Sequence, residues 1–93
     1  MEILNKLCLR DFSRLHPRSR RALARWLEIT EAARWRHMTD VQADFASAEE
    51  VKGWVIFNLH GNAYRLVTVI RFPQQQVIIH QAMTHAEYDR WKP

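Results

Sequence analysis

The chain has 93 residues, of which 47% are hydrophobic and 26% charged, a composition that fits one globular domain over residues 1–93 and excludes a disordered chain. The formal net charge is +4, and the single cysteine, Cys8, excludes an internal disulfide and a zinc site built from several thiolates. No apolar run approaches the ~20 residues that cross a membrane, so we expect a cytoplasmic protein.

Two helices are predicted at the N-terminus. Apolar residues at spacings of three and four mark the first one, at Leu4, Leu7, Cys8, Phe12 and Leu15. It should end near His16, because the residue before a proline is pushed out of the helical region, and Pro17 suits the first turn of a second helix. The buried stripe of that helix is predicted to be Leu23, Trp26, Leu27 and Thr30. A short strand at Glu2–Leu4 could replace the start of the first helix.

These helices carry most of the basic charge. Residues 1–36 hold nine Lys/Arg and four Asp/Glu, which gives +5, whereas residues 37–93 hold five and six, which gives −1. Such an excess attracts nucleic acid or an acidic partner protein. The alternative, an ordinary solvated helix face, stays open.

The remainder of the chain predicts a sheet. Residues 38–53 form a connection, with a short helix capped by Thr39 or Asp40. After Gly53 the stretches WVIFNLH, YRLVTVIRF and VIIHQAM are β-branched and aromatic with period-two elements, which indicates strands. HGN and PQQQ look like hairpin connections between them. The fold class is therefore α+β, with two helices and an antiparallel meander.

The hairpin turns give a hypothesis for the strand register. If Gly61 and Asn62 form a two-residue turn, Asn58 lies opposite Arg65. If Gln74 and Gln75 form the second turn, Arg65 lies opposite Thr84, and His80 lies opposite Val69. Asn58, Arg65 and Thr84 would then form one compact row across three strands.

The last strand leads into MTHAEYDRW, which brings His85, Glu87 and Tyr88 towards Arg65. A guanidinium binds phosphate, a histidine or tyrosine can move protons, and an aromatic ring can stack on a base. These are the groups needed to cut RNA without a metal. No metal site or cofactor is expected, since the five histidines show neither HxH nor HExxH spacing.

Structural roles compete with this reading. Arg65 could instead form a surface ion pair with Glu49, Glu50 or Glu87. Tyr88 and Trp91 could simply attach the C-terminal segment to the sheet. Several other residues more often serve packing or turns than chemistry, and these are Tyr64, His60, His80, Trp26, Trp35 and Trp54.

Two motifs together carry a family resemblance. The first comprises Phe57, Asn58, Gly61, Asn62 and Arg65, and the second comprises Thr84, His85, Glu87, Tyr88 and Asp89. In this pattern residues 50–91 resemble the HigB toxins, a RelE-like branch of bacterial type II toxin–antitoxin modules. The resemblance implies a RelE-like fold, in which two N-terminal helices pack on a three- to four-stranded antiparallel sheet with a short C-terminal helix or turn.

The resemblance also implies a function. It indicates an mRNA interferase, which is a metal-independent endoribonuclease that cleaves messages on the ribosome and inhibits translation. It implies neutralisation by a cognate helix-turn-helix antitoxin, through which alone the complex would bind operator DNA. A non-catalytic module on the same fold that binds RNA or protein is the alternative, and a degenerate toxin kept as a protein partner is a third.

Residue roles follow from the matched motifs. Arg65 would stabilise the phosphate, while His85 and Tyr88 would transfer protons or stack on a base. Glu87 would orient His85 or bind a base edge. The remaining candidates for RNA binding are Lys52, Asn58, Asn62 and Arg71.

Overall fold

The computed structural model describes residues 1–91, in which helices and strands surround one main core. The strands are β1 (Glu2–Leu4), β2 (Glu49–Val51), β3 (Trp54–Leu59), β4 (Tyr64–Arg71) and β5 (Gln76–Thr84). The helices are α1 (Leu7–Leu15), α2 (Arg20–Ala32), α3 (Met38–Asp44) and α4 (His85–Arg90), with a 3₁₀ turn at Pro17–Ser19. The α+β class, the two N-terminal helices and the short C-terminal helix are confirmed.

The strands form one sheet in the order β1-β5-β4-β3-β2. Strands β2 to β5 pair antiparallel in chain order, whereas β1 runs parallel to β5. The prediction of a three- to four-stranded antiparallel sheet is therefore wrong in its strand count and in this parallel edge. Both additional strands have only three residues, which is too short to display a period-two pattern. The alternative of a strand at Glu2–Leu4 is confirmed.

The first helix begins at Leu7 rather than at Leu4. Asn5 prevents an earlier start, because its φ of 72° lies in the left-handed region and not in that of an α-helix. Its side-chain amide donates to the carbonyl oxygen of Ile79 at 2.9 Å. At the other end α1 stops before Pro17, because His16 leaves the helical conformation with φ −129° and ψ 77°. The predicted end of this helix is confirmed.

Helix α3 starts two or three residues earlier than the sequence indicated. His37 is its N-cap residue, so the assignment of the cap to Thr39 or Asp40 is wrong. Asp40 lies inside the first turn, where its carboxylate accepts hydrogen bonds from the backbone N–H groups of Arg36 (2.8 Å) and His37 (3.2 Å). The bond from Arg36 is the main reason that the pKa of Asp40 is lowered. Each helix within residues 1–91 is too short or too polar to traverse a bilayer.

The main core lies between the helices and one face of the sheet. Val55, Phe57 and Leu59 alternate along β3 and point to this face, as the period of a strand requires. On α2, Trp26 is fully buried and its ring meets Phe57 edge-on, with ring centroids 5.4 Å apart. Leu23 and Thr30 of the predicted α2 stripe are also buried, and Leu27 packs against the same core.

The opposite face of the sheet, here called the open face, has its own small apolar cluster. Ile56, Val67 and Met83 are buried there. The rings of Tyr88 and Trp91 from the C-terminal segment pack against them. Helix α4 therefore covers part of the open face and leaves the rest of it to solvent.

The register of the meander is right in one hairpin and wrong in the other. Asn58 lies opposite Arg65, as predicted, but Arg65 lies opposite Met83 instead of Thr84. The β4–β5 turn uses four residues, 72–75, which shifts the pairing of the two strands by two positions from the predicted register. A β-bulge at Val67/Thr68 then reverses one of these two positions. The net slip of one residue turns Thr84 to the other side of the sheet, where it lies opposite Tyr64.

Candidate functional site

The guanidinium of Arg65 lies at one end of the open face, next to the β3–β4 turn. Its Nη1 donates to the carbonyl oxygens of Asn62 (3.1 Å) and Tyr64 (3.2 Å), and its Nη2 donates to the Asn62 side-chain oxygen. Only 8% of the residue is exposed. Three of the five N–H groups of an arginine are thus used to hold the head group, and two, on Nε and Nη2, meet no acceptor within residues 1–91.

Tyr88 is the aromatic neighbour of Arg65. The Cζ of Arg65 lies 5.5 Å from the centroid of the Tyr88 ring, a cation–π distance. Burial raises the pKa of the Tyr88 phenol, the carboxylate of Glu49 raises it further, and the charge of Arg65 acts in the opposite direction. The phenol therefore stays protonated at neutral pH. It can donate a proton or a hydrogen bond, and it is unsuited to act as a base.

The competing role of Arg65 as a surface ion-pair partner is wrong for the part of the chain that the structure describes. None of Glu49, Glu50 and Glu87 forms an ion pair with it there.

Tyr64 is a core residue, as the sequence predicted when it assigned this ring to packing. It packs edge-on against Phe12, with ring centroids 5.6 Å apart.

A reciprocal capping box fixes the start of α4. The backbone N–H of Thr84 donates to Glu87 Oε1 at 2.8 Å, and the backbone N–H of Glu87 donates to Thr84 Oγ1 at 3.2 Å. The first of these bonds is the main reason that the pKa of Glu87 is lowered. A carboxylate whose pKa is lower in the folded protein than in the unfolded chain stabilises the fold at pH values above the pKa of the unfolded chain. This contribution is lost as the pH falls through the pKa of the folded protein.

We expect Thr84→Ala to weaken this cap and to loosen Tyr88 against Arg65. Loss of an N-cap hydroxyl costs about 1 kcal/mol of stability. Urea unfolding of the variant, followed by circular dichroism, should show a lower midpoint with an unchanged slope. Thr39→Ala is the matched control, since Thr39 is exposed in α3 and caps no helix. An unchanged midpoint for Thr84→Ala would show that the cap contributes nothing.

His85 is attached to the turn that holds Arg65. Its backbone N–H donates to the carbonyl oxygen of Ala63 at 2.9 Å, one residue from Asn62. Its Nδ1 lies 3.1 Å from Asp89 Oδ2, one helical turn further along α4, and the two side chains are 43% and 62% exposed. An imidazole held through Nδ1 by a carboxylate keeps Nε2 for proton transfer, which is the arrangement of a general base with its orienting group.

Asp89, and not Glu87, is therefore the carboxylate that can orient His85. The sequence assigned this role to Glu87, and that assignment is wrong because Glu87 bonds to Thr84. The spacing could have shown this, since residues four apart lie on one side of a helix and residues two apart do not.

The other sequence candidates divide between the two ends of the sheet. Asn58 lies beside Arg65 on the neighbouring strand, and Asn62 holds its head group. Lys52 and Arg71 are exposed at the far end of the sheet. Arg71 is six residues along β4 from Arg65, or about 20 Å at the rise of a strand, so these two cations are not part of the site around Arg65.

A basic cavity lies on the other side of the β3–β4 turn. It has a volume of about 600 Å³ and is lined by Arg18, Arg21, Ala22, Arg25 and His60. His60 occupies the turn with a φ of 52°, which agrees with its predicted role as a turn residue. The sequence showed only that basic residues are concentrated in the first third of the chain, which includes the 3₁₀ turn and α2. It could not show that they share a cavity with the hairpin that carries Arg65.

No three His, Cys, Asp or Glu side chains among residues 1–91 come close enough together to hold a metal ion. Beside Arg65 lies the Tyr88 ring, and the backbone of His85, whose side chain pairs with Asp89, bonds to the turn that holds Arg65.

Comparison with known proteins shows which family this chain resembles. The model of the HigB toxins, described as the RelE-like toxic component of a toxin–antitoxin system, matches residues 19–91. The mRNA interferase toxin HigB of Escherichia coli strain K12 is 26% identical over 92 residues, which cover 96% of this chain and 88% of that protein. The mRNA interferase HigB proteins of Escherichia coli O157:H7 and Shigella flexneri match to the same extent. Every candidate residue named above, apart from Arg18, lies inside the matched range.

Proposed function

The chain belongs to the RelE-like HigB toxins, the toxic components of toxin–antitoxin systems, and from this premise we propose that it is an endoribonuclease that cleaves mRNA on the ribosome. The relatives reported above are mRNA interferases, which supports the reaction. The observation that carries it for this chain is the fixed guanidinium of Arg65 beside Tyr88, with the His85–Asp89 pair attached to the same turn. The protein would act in the cytoplasm, where its substrate and the ribosome are found.

The proposed reaction uses the 2′-hydroxyl of the RNA as the nucleophile. Nε2 of His85 takes the 2′-hydroxyl proton, and the 2′-oxygen attacks the adjacent phosphorus. Arg65 stabilises the additional negative charge on the phosphoryl oxygens through its two remaining N–H groups. The bond from phosphorus to the 5′-oxygen breaks, and in this proposal Tyr88 protonates that oxygen. The products are a 2′,3′-cyclic phosphate and a 5′-hydroxyl end.

Message ends after induction of the toxin test this proposal. New 5′-hydroxyl ends inside translated codons are expected within minutes, and blocking translation initiation should prevent them if the ribosome presents the RNA. Arrest of translation with intact messages would contradict the enzyme. It would favour a non-catalytic module that binds RNA or protein, an alternative supported by the three guanidinium N–H groups of Arg65 that already serve the fold.

We also propose that the basic cavity binds the phosphate backbone of ribosomal RNA. Arg18, Arg21 and Arg25 are exposed and line one cavity, so several phosphates can be neutralised together. A cognate antitoxin with a helix-turn-helix domain would neutralise the toxin and would alone contact operator DNA.

Replacing Arg18, Arg21 and Arg25 with glutamine should weaken binding to ribosomes and make it less sensitive to salt. Each lost phosphate contact lowers the slope of log K against log [salt] by about 0.7–0.9, so the triple variant should lose a slope of about 2. A triple variant with glutamine at Arg10, Arg14 and Arg20 has the same net charge, and none of these exposed arginines lines the cavity. Equal slopes for both variants would contradict a specific site and leave only a general effect of charge.

A further inference from the structure

The open face of the sheet carries an aromatic cluster that the proposed catalytic groups do not use. Trp54 of β3 lies 4.7 Å from the ring of His80 on β5 and 5.7 Å from that of Trp91, measured between ring centroids. Trp91 in turn stacks on Tyr88 at 6.0 Å with an interplanar angle of 27°. Because Tyr88 touches Arg65, the rings form a continuous path from the phosphate-binding guanidinium to the middle of the sheet.

These rings are not part of a sealed core. Trp26 and Trp35 are 0% and 2% exposed, whereas Trp54 and Trp91 are only half-buried and His80 is exposed. The prediction that Trp54 serves packing therefore holds only in part, since part of its ring is open to solvent. An accessible group of aromatic side chains costs solvation free energy, and such surfaces usually serve binding.

The β-bulge in β5 supports a function for this surface. Ile79 pairs with Thr68 and Gln81 pairs with Val67, which leaves His80 without a partner on β4. A bulge redirects the extra side chain, and bulges are frequent beside binding sites. Here the redirected imidazole lies tilted by 38° over Trp54.

Positive charge lies at both ends of the aromatic path. Arg65 lies at the end where α4 begins, and Lys52 and Arg71 lie at the far end, about 20 Å away along the strand. Cations that contact phosphates, with aromatic rings between them, are the arrangement by which proteins hold single-stranded nucleic acid.

We propose that Trp54, His80 and Trp91 form a stacking platform for unpaired bases of the RNA next to the scissile phosphate. The proposal rests on the proposed function, because it takes Arg65 as the group that binds that phosphate. Stacking on aromatic rings accepts any base, since every base has a π-face. The platform therefore contributes affinity and position along the open face, and it needs no particular codon.

The test compares Trp54→Leu with Trp54→Phe. Leucine keeps the apolar packing against the open-face cluster but has no π-face, whereas phenylalanine keeps both. The probe is a single-stranded RNA oligonucleotide with 2′-O-methyl sugars, which the 2′-hydroxyl mechanism cannot cut. Its binding is followed by the anisotropy of a dye on the RNA and by quenching of tryptophan fluorescence, while circular dichroism checks that both variants are folded.

Loss of one stacking ring should raise the Kd of the leucine variant about 5- to 150-fold, and the phenylalanine variant should remain close to the wild type. The wild type should also lose fluorescence on binding, because the two accessible indoles meet bases. Equal Kd values for the wild type and the leucine variant, or binding without quenching, would overturn the platform.

The two proposals fail in different ways in this experiment. A wild type that binds the methylated RNA with quenching, but leaves ribosome-bound natural mRNA intact, contradicts the proposed enzyme and sustains the platform. A wild type that cleaves mRNA while the leucine variant binds and cleaves equally well contradicts only the platform. A wild type that does not bind the methylated RNA contradicts the platform, whereas the proposed enzyme is judged only by cleavage of ribosome-bound mRNA.

Discussion

Arg65→Ala is expected to lower mRNA cleavage by about 10²–10³-fold, the usual effect of removing one donor that stabilises charge in a transition state. The reason is the fixed position of this guanidinium. Bonds to Asn62 and to the Tyr64 carbonyl oxygen hold it before substrate arrives, so no free energy is spent on ordering it during the reaction. Cleavage of a defined message on purified ribosomes measures the effect directly, and relief of growth arrest in cells should accompany it.

Two variants separate the loss of chemistry from the loss of charge or structure. Arg14→Ala removes an exposed arginine from α1, which packs on the opposite face of the sheet from Tyr88, and should cleave almost normally. Arg65→Lys keeps the charge but lacks the planar fork, so it should recover only part of the activity. Arg65→Ala also removes three hydrogen bonds at the β3–β4 turn, so cleavage has to be compared below its unfolding transition. A folded Arg65→Ala protein with wild-type cleavage would exclude Arg65 from the reaction.

His85→Ala is expected to lower cleavage by about 10²–10⁴-fold, the range for loss of a general acid or base. Tyr88 cannot replace it as the base, because burial raises the pKa of the phenol. Asp89→Asn should have a smaller effect, since the His85–Asp89 contact is more than a third exposed and is weakened by water. Single-turnover cleavage on ribosomes at several pH values measures both variants.

Added imidazole provides the control for the His85 prediction. The side chain is 43% exposed, so the space that it leaves in His85→Ala is open to a small molecule from solution. Imidazole should restore part of the cleavage in His85→Ala and none in Arg65→Ala. No loss of activity in His85→Ala, or a loss that persists equally in both variants with imidazole, would contradict the assignment of His85 as the base.

Local rules predicted much of the fold. The apolar spacing located the two N-terminal helices, and Pro17 set the end of α1. The period-two stretches after Gly53 located β3, β4 and β5. Local rules did not predict the pairing of β1 with β5 or of β2 with β3. The outer strands β1 and β2 have only three residues each, and they are defined only by the neighbour to which they bond.

The second hairpin shows where local rules fail. A two-residue turn at Gln74 and Gln75 was a reasonable reading, yet the turn takes four residues and the strand then bulges at His80. The two irregularities leave a net slip of one residue, so Met83 and not Thr84 lies opposite Arg65. Since side chains alternate with a period of two, this slip decides which residues share a face with the candidate site.

The sequence by itself determined the α+β class, the excess of basic charge in the first third and the two motifs that contain Arg65, His85 and Tyr88. These properties depend on residue type and on spacing along the chain. Only the tertiary structure decided that Asn62 holds Arg65, that Asp89 lies beside His85, and that Trp54, His80 and Trp91 meet on the open face. These contacts depend on strand register and on the placement of α4, which are set by packing between segments distant in sequence and so leave no local pattern in the chain.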